Sequence, residues 1–514
     1  MPAVVVVGSG AAGLAAAVGA ATAGADVVVL EAADAVGGTT ALSGGIVWVP
    51  GHRFLGAGAR DDVRRARTYL GALATGDVEP ALVDAFLSRV GPVVDELAEC
   101  TPLQWEVLEH WPDYRDDVEG AAQGRSLWPC PLTLDEDLAA VVQRDPVAEA
   151  GGHMGPVTER LPRSDAVVLR GPVRGRTLVG GLLAGSRKLG AEVRTGARAG
   201  GLVLRGDAVC GVRVGGEVLE GRVVLASGGF QFDASAVRAF VGGAPLAPLG
   251  TPSCRGDALA MSRHVGADLG NMTEAWWMPA LSVPGESLDG APYFRPLHGE
   301  RAKPGAVLVD RLGRRFVDEA QNYGDVGRAM RRFATGQPPY PAAPSFLVLD
   351  AAYRARYPVG PLEPNDPDPE WLLRGSDLGE LARAMGVPAE TLAATVARFN
   401  AGARHGRDED FGRGASAYDR WIGDHAAADP TLAPVEEPPF YAAVVHAGCL
   451  GTKGGPRTDE AGRVLRRSAP VAGLYAAGNA AASPFGTATA AGGATLGPAL
   501  AFGHLAGRAA AEDR

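Results

Sequence analysis

Short apolar runs alternate with small-residue, helix-compatible segments at both ends of the chain. Val4 to Val7 is the first apolar run, Val27 to Leu30 is the second, and an alanine-rich stretch lies between them. The pattern predicts a strand, a helix and a parallel strand. Short β-type runs alternating with turn glycines return over 191–226, and another apolar run follows near 471–477. This order is typical of an α/β fold for the two ends of the chain. The chain as a whole is then of α+β class.

Amphipathic helices are predicted at 61–70 and 80–100 from the spacing of their apolar residues. Further helices are expected at 180–189, after Asp257, at 378–403 and after Pro498. Residues 101–175 hold four aromatic residues among many prolines and glycines, which indicates a long functional loop or a small lobe. Its aromatic side chains either form a satellite core or reach a ligand.

The composition shifts between 276 and 445, where prolines and aromatic residues become frequent. After 446 the chain is again rich in glycine and alanine, as it is at the start. We therefore expect one discontinuous nucleotide-binding domain over 1–275 and 446–514, with the lobe at about 101–175. Residues 276–445 would form an inserted second domain of α+β type.

A glycine motif follows the first strand. Gly8 permits a tight turn, Gly10 lets the backbone approach a pyrophosphate, and Gly13 lets helix and strand pack closely. The helix N-terminus presents free N–H groups to phosphates. Glu31 ends the second strand, where a carboxylate can accept hydrogen bonds from a ribose diol. Strand, turn, helix and acid together predict a Rossmann-like dinucleotide site.

The bulk composition excludes several other classes of protein. The net charge is −10 and no stretch is strongly basic, so a nucleic-acid partner is not expected. The five cysteines are scattered, which favours reduced thiols and a cytoplasmic protein over a disulfide framework. The nine histidines lack ligand-type spacing, so no metal is expected. Long apolar runs are missing as well, so no transmembrane segment is expected.

These motifs together resemble a known family. The glycine turn with Glu31, the run 37–45, Ala226-Ser227-Gly228-Gly229 and the tail 494–499 are similar to FAD-dependent flavoproteins of the fumarate reductase / 3-ketosteroid dehydrogenase superfamily. Shorter matching pieces lie at 48–50, 275–277, 313–316, 395–400, 410–414 and 439–441. Within the superfamily the chain resembles the 3-ketosteroid Δ1-dehydrogenases most.

The resemblance implies non-covalent FAD, because Gly38 or Thr39 stands where succinate dehydrogenases carry the histidine that bonds to FAD. It also implies which residues bind FAD: Gly8, Gly10, Ala12, Gly13, Glu31, Ala32, Gly38, Thr39, Thr40, Ser43, Gly44, Gly45, Ala226, Ser227, Gly228, Asp257, Gly478, Asn479, Gly497, Pro498 and Ala499. The turn 497–499 would sit by the flavin ring, where the N-terminus of the last helix stabilises negative charge.

The family reaction removes two hydrogens from adjacent carbons beside a ketone, as a hydride to flavin N5 and a proton to a tyrosine. Matched to the motif, Tyr323 falls on the base, Tyr114 on the assisting tyrosine, and Gly493 on the N–H that holds the ketone. Thr489 stands where the family has a third, ketone-binding tyrosine. A phenol must lose its proton to act as the base, so neighbouring groups must lower its pKa from about 10 for it to act at neutral pH.

The expected substrate is a 3-ketosteroid or a related polycyclic ketone, with a separate electron acceptor that the sequence does not identify. Two alternatives stay open. An ene-reductase of the fumarate reductase type would run in the opposite direction on a non-steroid substrate, although 478–500 contains no arginine for a dicarboxylate. A protein of another class, an FAD-binding scaffold without catalysis, would show no turnover of reduced flavin.

Overall fold

The computed structural model describes residues 3–55, 63–132, 136–144, 174–336 and 338–513. Parts of the expected lobe, 133–135 and 145–173, and the first two residues of the helix expected at 61–70 lie outside the described residues. The α/β fold expected from the sequence is confirmed, because a Rossmann-like parallel sheet and a second, largely antiparallel sheet are both present.

The strands of the described chain run as follows: β1 Val4–Val7, β2 Val27–Leu30, β3 Val47–Trp48, β4 Trp105–Val107, β5 Ser126–Pro129, β6 Glu192–Arg194, β7 Ala199–Arg205, β8 Ala208–Val214, β9 Glu217–Glu220, β10 Arg222–Leu225, β11 Ala247–Pro248, β12 Leu269–Gly270, β13 Ala275–Leu288, β14 Ala291–Pro296, β15 Ala306–Val309, β16 Ser345–Leu349, β17 Leu373–Gly375, β18 Phe440–Thr452, β19 Gly455–Pro456, β20 Arg463–Arg466 and β21 Ala469–Ala476.

The helices run as follows: α1 Ala11–Thr22, α2 Gly38–Ala41, α3 Val63–Leu73, α4 Pro80–Cys100, α5 Glu136–Val141, α6 Arg174–Lys188, α7 Ala234–Ala236, α8 Asp257–His264, α9 Tyr323–Met330, α10 Ala351–Arg354, α11 Leu378–Met385, α12 Ala389–Ala403, α13 Ala417–Ile422 and α14 Leu496–Glu512. A π-helical turn, Val237–Val241, continues α7, and 3-10 turns span Glu300–Ala302 and Gly478–Ala480. No helix of the described part is long and apolar enough to cross a membrane.

The parallel sheet has the order β20-β21-β10-β1-β2-β6, with β1 paired in parallel to both β10 and β2. Each of the four valines of β1 is at most 4% exposed, which explains the continuous apolar run. Helices α1 and α14 pack together at contact distance. A Cβ on Gly507 would lie 2.0 Å from the Ala16 carbonyl oxygen, so only glycine allows this approach. The first and last segments of the chain therefore form one layer.

The second sheet has the order β14-β13-β18-β16-β15 and is antiparallel along that path. Its long strand β18 also pairs with β11 and β17. The sheet covers 247–452, so β18 crosses the boundary that we expected at 445–446. Apolar side chains on its faces form two further core clusters around Leu347 and Val348.

The expectation of one helix over 378–403 is wrong. The structure has two helices, because α11 ends at Gly386, which adopts a left-handed φ of 69°, and Pro388 caps the start of α12. A left-handed glycine followed by a proline is a helix stop. Both helices pack their apolar faces against the outer side of β15 and β16.

Candidate active site

A long crevice opens at the carboxyl ends of β1, β2 and β10, above the N-terminus of α1. Gly8 has a φ of 106°, and a Cβ there would lie 2.4 Å from the Ala226 carbonyl oxygen. A Cβ on Gly13 would lie 1.9 Å from the Gly8 carbonyl oxygen. Gly8 therefore shapes the turn, whereas Gly13 lies behind it and lets helix and strand touch. The residues fit a dinucleotide, because backbone and small side chains leave this end of the sheet open.

The crevice is lined by a set that is largely glycine, alanine and hydroxyl residues: Gly8, Gly10, Ala12, Glu31, Ala32, Gly38, Thr39, Thr40, Ala226, Ser227, Gly228, Asp257, Gly478, Asn479 and Ala499. Each of these was a candidate FAD-binding residue from the sequence. They come from the first, middle and last parts of the chain, and the parallel sheet brings them together.

Glu31 is held in position by its neighbours at the end of β2. Its Oε2 accepts hydrogen bonds from the backbone N–H and the hydroxyl of Ser9, and its Oε1 accepts one from the Ala33 N–H at 2.9 Å. The side chain is 5% exposed. Carboxylate oxygens have about four acceptor positions, so Glu31 keeps capacity for a ribose hydroxyl.

Asn479 joins this crevice to a second cavity, since it lines both. Its Oδ1 accepts a hydrogen bond from Trp276 Nε1 at 2.9 Å, which fixes the amide. Ser43, Gly44 and Gly45 line the second cavity instead of the crevice. Gly497 lines neither the crevice nor the second cavity. It packs against the backbone of Trp48, since a Cβ on Gly497 would lie 2.4 Å from the Trp48 carbonyl oxygen.

Pro498 occupies the first turn of α14 and lines a small hollow of about 30 Å³ beside Lys453. Lys453 is 1% exposed and donates to the carbonyl oxygens of Thr487 and Ala488 at 2.9 and 2.7 Å. Burial, its largest perturbation, lowers the pKa of Lys453 to about 7. Its ammonium lies 4.1 Å from the centre of the Trp276 ring. These contacts fix the backbone that leads to Thr489.

The second cavity, of about 250 Å³, is walled in part by Met278, Arg295 and Leu450 of the second sheet. Three of the four candidate catalytic residues line it: Tyr323, Tyr114 and Gly493. Thr489 is not on this wall. A Cβ on Gly324 would lie 2.9 Å from its Oγ1, so the hydroxyl packs behind α9. The role of Thr489 at the ketone, implied by the family resemblance, therefore stays a prediction.

Tyr323 begins α9, where the Asn322 side chain caps the helix by accepting from the Asp325 N–H at 3.0 Å. The Tyr323 ring packs edge-on against Tyr114, with centroids 5.5 Å apart. Burial raises the pKa of Tyr323 above 10.0, opposed by Tyr114 and by the positive charge of Arg301. Burial likewise raises the pKa of Tyr114, and the neighbouring Tyr323 raises it further.

Tyr418 on α13 was not anticipated. Its ring lies 4.7 Å from that of Tyr114, and its buried hydroxyl has no partner among the described residues. Arg301 is fully buried beside these rings and donates to the carbonyl oxygens of Glu319, Gln321 and, at 3.3 Å, Leu297. The positive charge of Arg301, held by backbone oxygens, lowers the pKa of Tyr323 and so favours the phenolate.

A buried network of four charges supports the segment before Tyr323. Arg315 donates to Glu319 Oε2 at 2.7 Å and to Asp408 Oδ1 at 2.8 Å. Arg413 donates to the same Glu319 oxygen at 3.2 Å. Glu319 is completely buried, and its two arginines lower its pKa against the effect of burial. Two cations and two anions therefore fix the start of α9.

Gly493 has a φ of 91°, and a Cβ there would lie 2.5 Å from the Trp48 N atom. Its carbonyl oxygen accepts from Trp48 N–H at 3.2 Å, and no described residue accepts from its own N–H. The neighbouring Gly492 touches Trp111, because a Cβ there would lie 2.9 Å from the indole Nε1. The glycine pair thus presents an unused backbone donor on the cavity wall.

Three further polar side chains line the cavity from the inserted region: Arg295, His298 and Glu300. Sequence reasoning missed His298 and Glu300, since neither lies in a recognisable motif. His298 lies with its ring 5.4 Å from that of Tyr323. Burial is the main cause that lowers the pKa of His298 to about 3, helped by the charges of Arg301 and Lys303.

The comparisons agree with this geometry. The family model described as FAD binding domain matches residues 3–496. The 4-oxocyclohexanecarboxylate 2-dehydrogenase of Sinomonas cyclohexanicum is 39% identical over 98% of this chain and 92% of its own length. The 3-oxosteroid 1-dehydrogenase of Mycobacterium tuberculosis is 36% identical over 98% of this chain and 97% of its own.

Among solved structures, the 3-ketosteroid Δ1-dehydrogenase of Sterolibacterium denitrificans, in complex with 1,4-androstadiene-3,17-dione, superimposes with a TM-score of 0.90. It is 30% identical, and the match covers 100% of both chains. A flavocytochrome c3 fumarate reductase, 21% identical with a TM-score of 0.68, shares the fold.

Proposed function

Because the chain belongs to the FAD binding domain family, we propose that it is an FAD-dependent dehydrogenase that desaturates the carbon–carbon bond beside a ring ketone. One observation carries the proposal. Tyr323, Tyr114 and the free N–H of Gly493 line a single cavity that continues into the nucleotide crevice at Asn479. The full-length relatives are named for dehydrogenation of a ring ketone, on a steroid in one case and on a cyclohexanone acid in the other.

FAD in the crevice would supply a two-electron acceptor for the hydride that leaves the carbon β to the ketone. The residues present would hold it without a covalent bond, because Gly38 and Thr39 line the crevice where a histidine would be needed. The N-terminus of α14 lies at the cavity end of the crevice, where Thr495 and Leu496 line both spaces and the positive end of the helix dipole favours negative charge. A separate electron acceptor must then reoxidise the flavin.

The protein side of the reaction is proton removal beside the ketone. Tyr323, as the phenolate, takes the α-proton at its phenolic oxygen, and Tyr114, in ring contact with it, donates a hydrogen bond that stabilises that phenolate beforehand. The N–H of Gly493 donates to the ketone oxygen, which gains negative charge as the proton leaves. The aromatic wall of Trp111 and Trp128 excludes water from this end of the cavity.

The free state of all five cysteines agrees with a reducing compartment, and we propose that the protein works in the cytoplasm. The division into a nucleotide-binding domain and an inserted catalytic domain at 276–445 likewise remains our proposal. It is supported by the separate sheets and their separate core clusters.

The deciding experiment mixes the purified yellow protein anaerobically with ring ketones and follows the visible flavin band. We expect rapid bleaching and a product that carries a new double bond conjugated to the ketone, identified by its mass and ultraviolet absorbance. Androst-4-ene-3,17-dione and 4-oxocyclohexanecarboxylate are the two probes. Bound flavin that dithionite bleaches but neither ketone reduces would refute the dehydrogenase assignment.

A further inference from the structure

The cavity wall contributed by the inserted region holds three polar side chains with unused hydrogen-bonding capacity. Arg295 is 6% exposed and binds Glu286 through Nε, at 2.7 Å, and through Nη2. Its Nη1 has no partner in the described chain. Glu300 is 5% exposed, and its Oε2 has no hydrogen-bond partner among the described residues. Buried groups of this kind are costly unless a ligand completes them.

His298 lies between these two residues in sequence and lines the same cavity. Its Nδ1 is buried without a partner among the described residues. A neutral imidazole offers one N–H donor and one acceptor. The pKa of His298, lowered mainly by burial, keeps the ring neutral at physiological pH.

All three groups can donate a hydrogen bond. The guanidinium of Arg295 is a donor at any physiological pH. Burial raises the pKa of the Glu300 carboxyl, which favours its protonated form, a donor through O–H. Arg301 and Lys303 add positive potential at this wall, since both charges act on His298 and on Glu300. The wall therefore suits a ligand group that only accepts and that carries negative charge.

We propose that Arg295, His298 and Glu300 form a subsite for a carboxylate on the substrate, so that this protein acts on a small ring ketone that carries an acid group. The subsite rests on the proposed dehydrogenase function in one respect: that function identifies the rest of the substrate as a ring ketone. The carboxylate would take hydrogen bonds from Arg295 Nη1, from the imidazole and from the Glu300 hydroxyl.

The size of the cavity agrees with a small ring. Its volume of about 250 Å³ lies below the ~300–1,000 Å³ typical of pockets for drug-sized ligands. The flavin end of the same cavity is walled by Ser43, Gly44 and Gly45, so substrate and flavin ring share the space. An apolar steroid end placed against this wall would also leave three polar groups desolvated and unpaired.

Glu286 sets the balance of charge at the subsite. It is 25% exposed and neutralises Arg295 while the cavity contains no acid. A guanidinium can serve two carboxylates, as Arg315 does with Glu319 and Asp408 in this chain. Removing Glu286 should therefore strengthen the hold on a substrate acid, which gives the proposal a gain-of-affinity test.

The experiment titrates oxidised, flavin-loaded protein with 4-oxocyclohexanecarboxylate and, separately, with its methyl ester, and reads the shift of the flavin absorbance bands. We expect the acid to bind more tightly than the ester. Arg295→Met should weaken binding of the acid by about 10- to 100-fold, as expected for a hydrogen bond to a charged group, and leave the ester almost unchanged. Glu286→Gln should tighten binding of the acid.

Arg398→Met is the matched control, because it breaks an Arg–Asp pair of the inserted region whose arginine is 66% exposed. It should leave both titrations unchanged. Equal affinity for acid and ester, or an Arg295→Met loss that is the same for both, would overturn the subsite. Arg295-dependent binding of the acid without flavin bleaching would sink the dehydrogenase assignment and keep the subsite. Bleaching by androst-4-ene-3,17-dione without any binding of the acid would overturn the subsite and keep the dehydrogenase assignment.

Discussion

Replacing Tyr323 with phenylalanine should remove most of the turnover while it leaves the fold and the flavin in place. The ring contacts of Tyr323 with Tyr114 and His298, at 5.5 and 5.4 Å between centroids, do not involve the hydroxyl. Phenylalanine keeps these contacts and loses only the proton acceptor. A positioned acid or base typically contributes about 10²–10⁴-fold to a rate, so we expect a loss of that size in kcat.

The pH dependence gives the same residue a second, independent signature. Burial places the pKa of Tyr323 above 10.0, so the phenolate is the minor form at neutral pH. The phenolate fraction rises as the pH rises, so more molecules hold the form that can accept the proton. The rate of flavin reduction should therefore climb steeply with pH in the natural protein.

Stopped-flow bleaching of the flavin under anaerobic conditions measures both effects, with flavin content checked from the absorbance ratio of each preparation. Tyr418→Phe is the matched control, since it removes another buried hydroxyl beside Tyr114 without touching the cavity wall. A Tyr323→Phe variant that bleaches at nearly the natural rate would show that the proton leaves by another route. A rate that is flat from about pH 7 to 9 would show that phenolate formation does not limit it.

Three other changes test the frame around the site. Gly13→Ala would place a Cβ 1.9 Å from the carbonyl oxygen of the glycine turn, so the protein should purify with little flavin, measured by its absorbance per chain. Asp113→Ala removes the buried ion pair with Arg125, which spans 2.6 Å, and should cost about 3–5 kcal/mol in urea unfolding, with Asp113→Asn losing less. Arg301→Gln removes the positive charge that lowers the pKa of Tyr323, so the pH–rate profile should move to higher pH; an unchanged profile would contradict that role.

The elements nearest the nucleotide crevice could be predicted because their signals are local. A buried valine run, a glycine turn and Glu31 lie within one strand–helix–strand unit, where sequence spacing fixes position in space. The pairing of Tyr323 with Gly493 came from the family resemblance, and in the structure both residues line the same cavity.

The rest of the cavity depends on contacts between distant parts of the chain. His298 and Glu300 have no motif of their own, and the packing of distant segments places them on the cavity wall. Thr489, which the family resemblance puts at the ketone-binding position, has its hydroxyl near Gly324 and is not among the residues that line the cavity, because position along the chain does not determine side-chain direction.

The four-charge network behind Tyr323 also limits how this protein can diverge. Losing one of Arg315, Glu319, Asp408 or Arg413 would leave an uncompensated charge in the interior, whereas an apolar replacement of the whole set can be neutral. A single substitution at any of these positions therefore destabilises the protein. During evolution all four residues must be kept or be replaced together. Across descendants of this chain, the four positions should accordingly be inherited as one unit, even where the cavity beside them adopts new substrates.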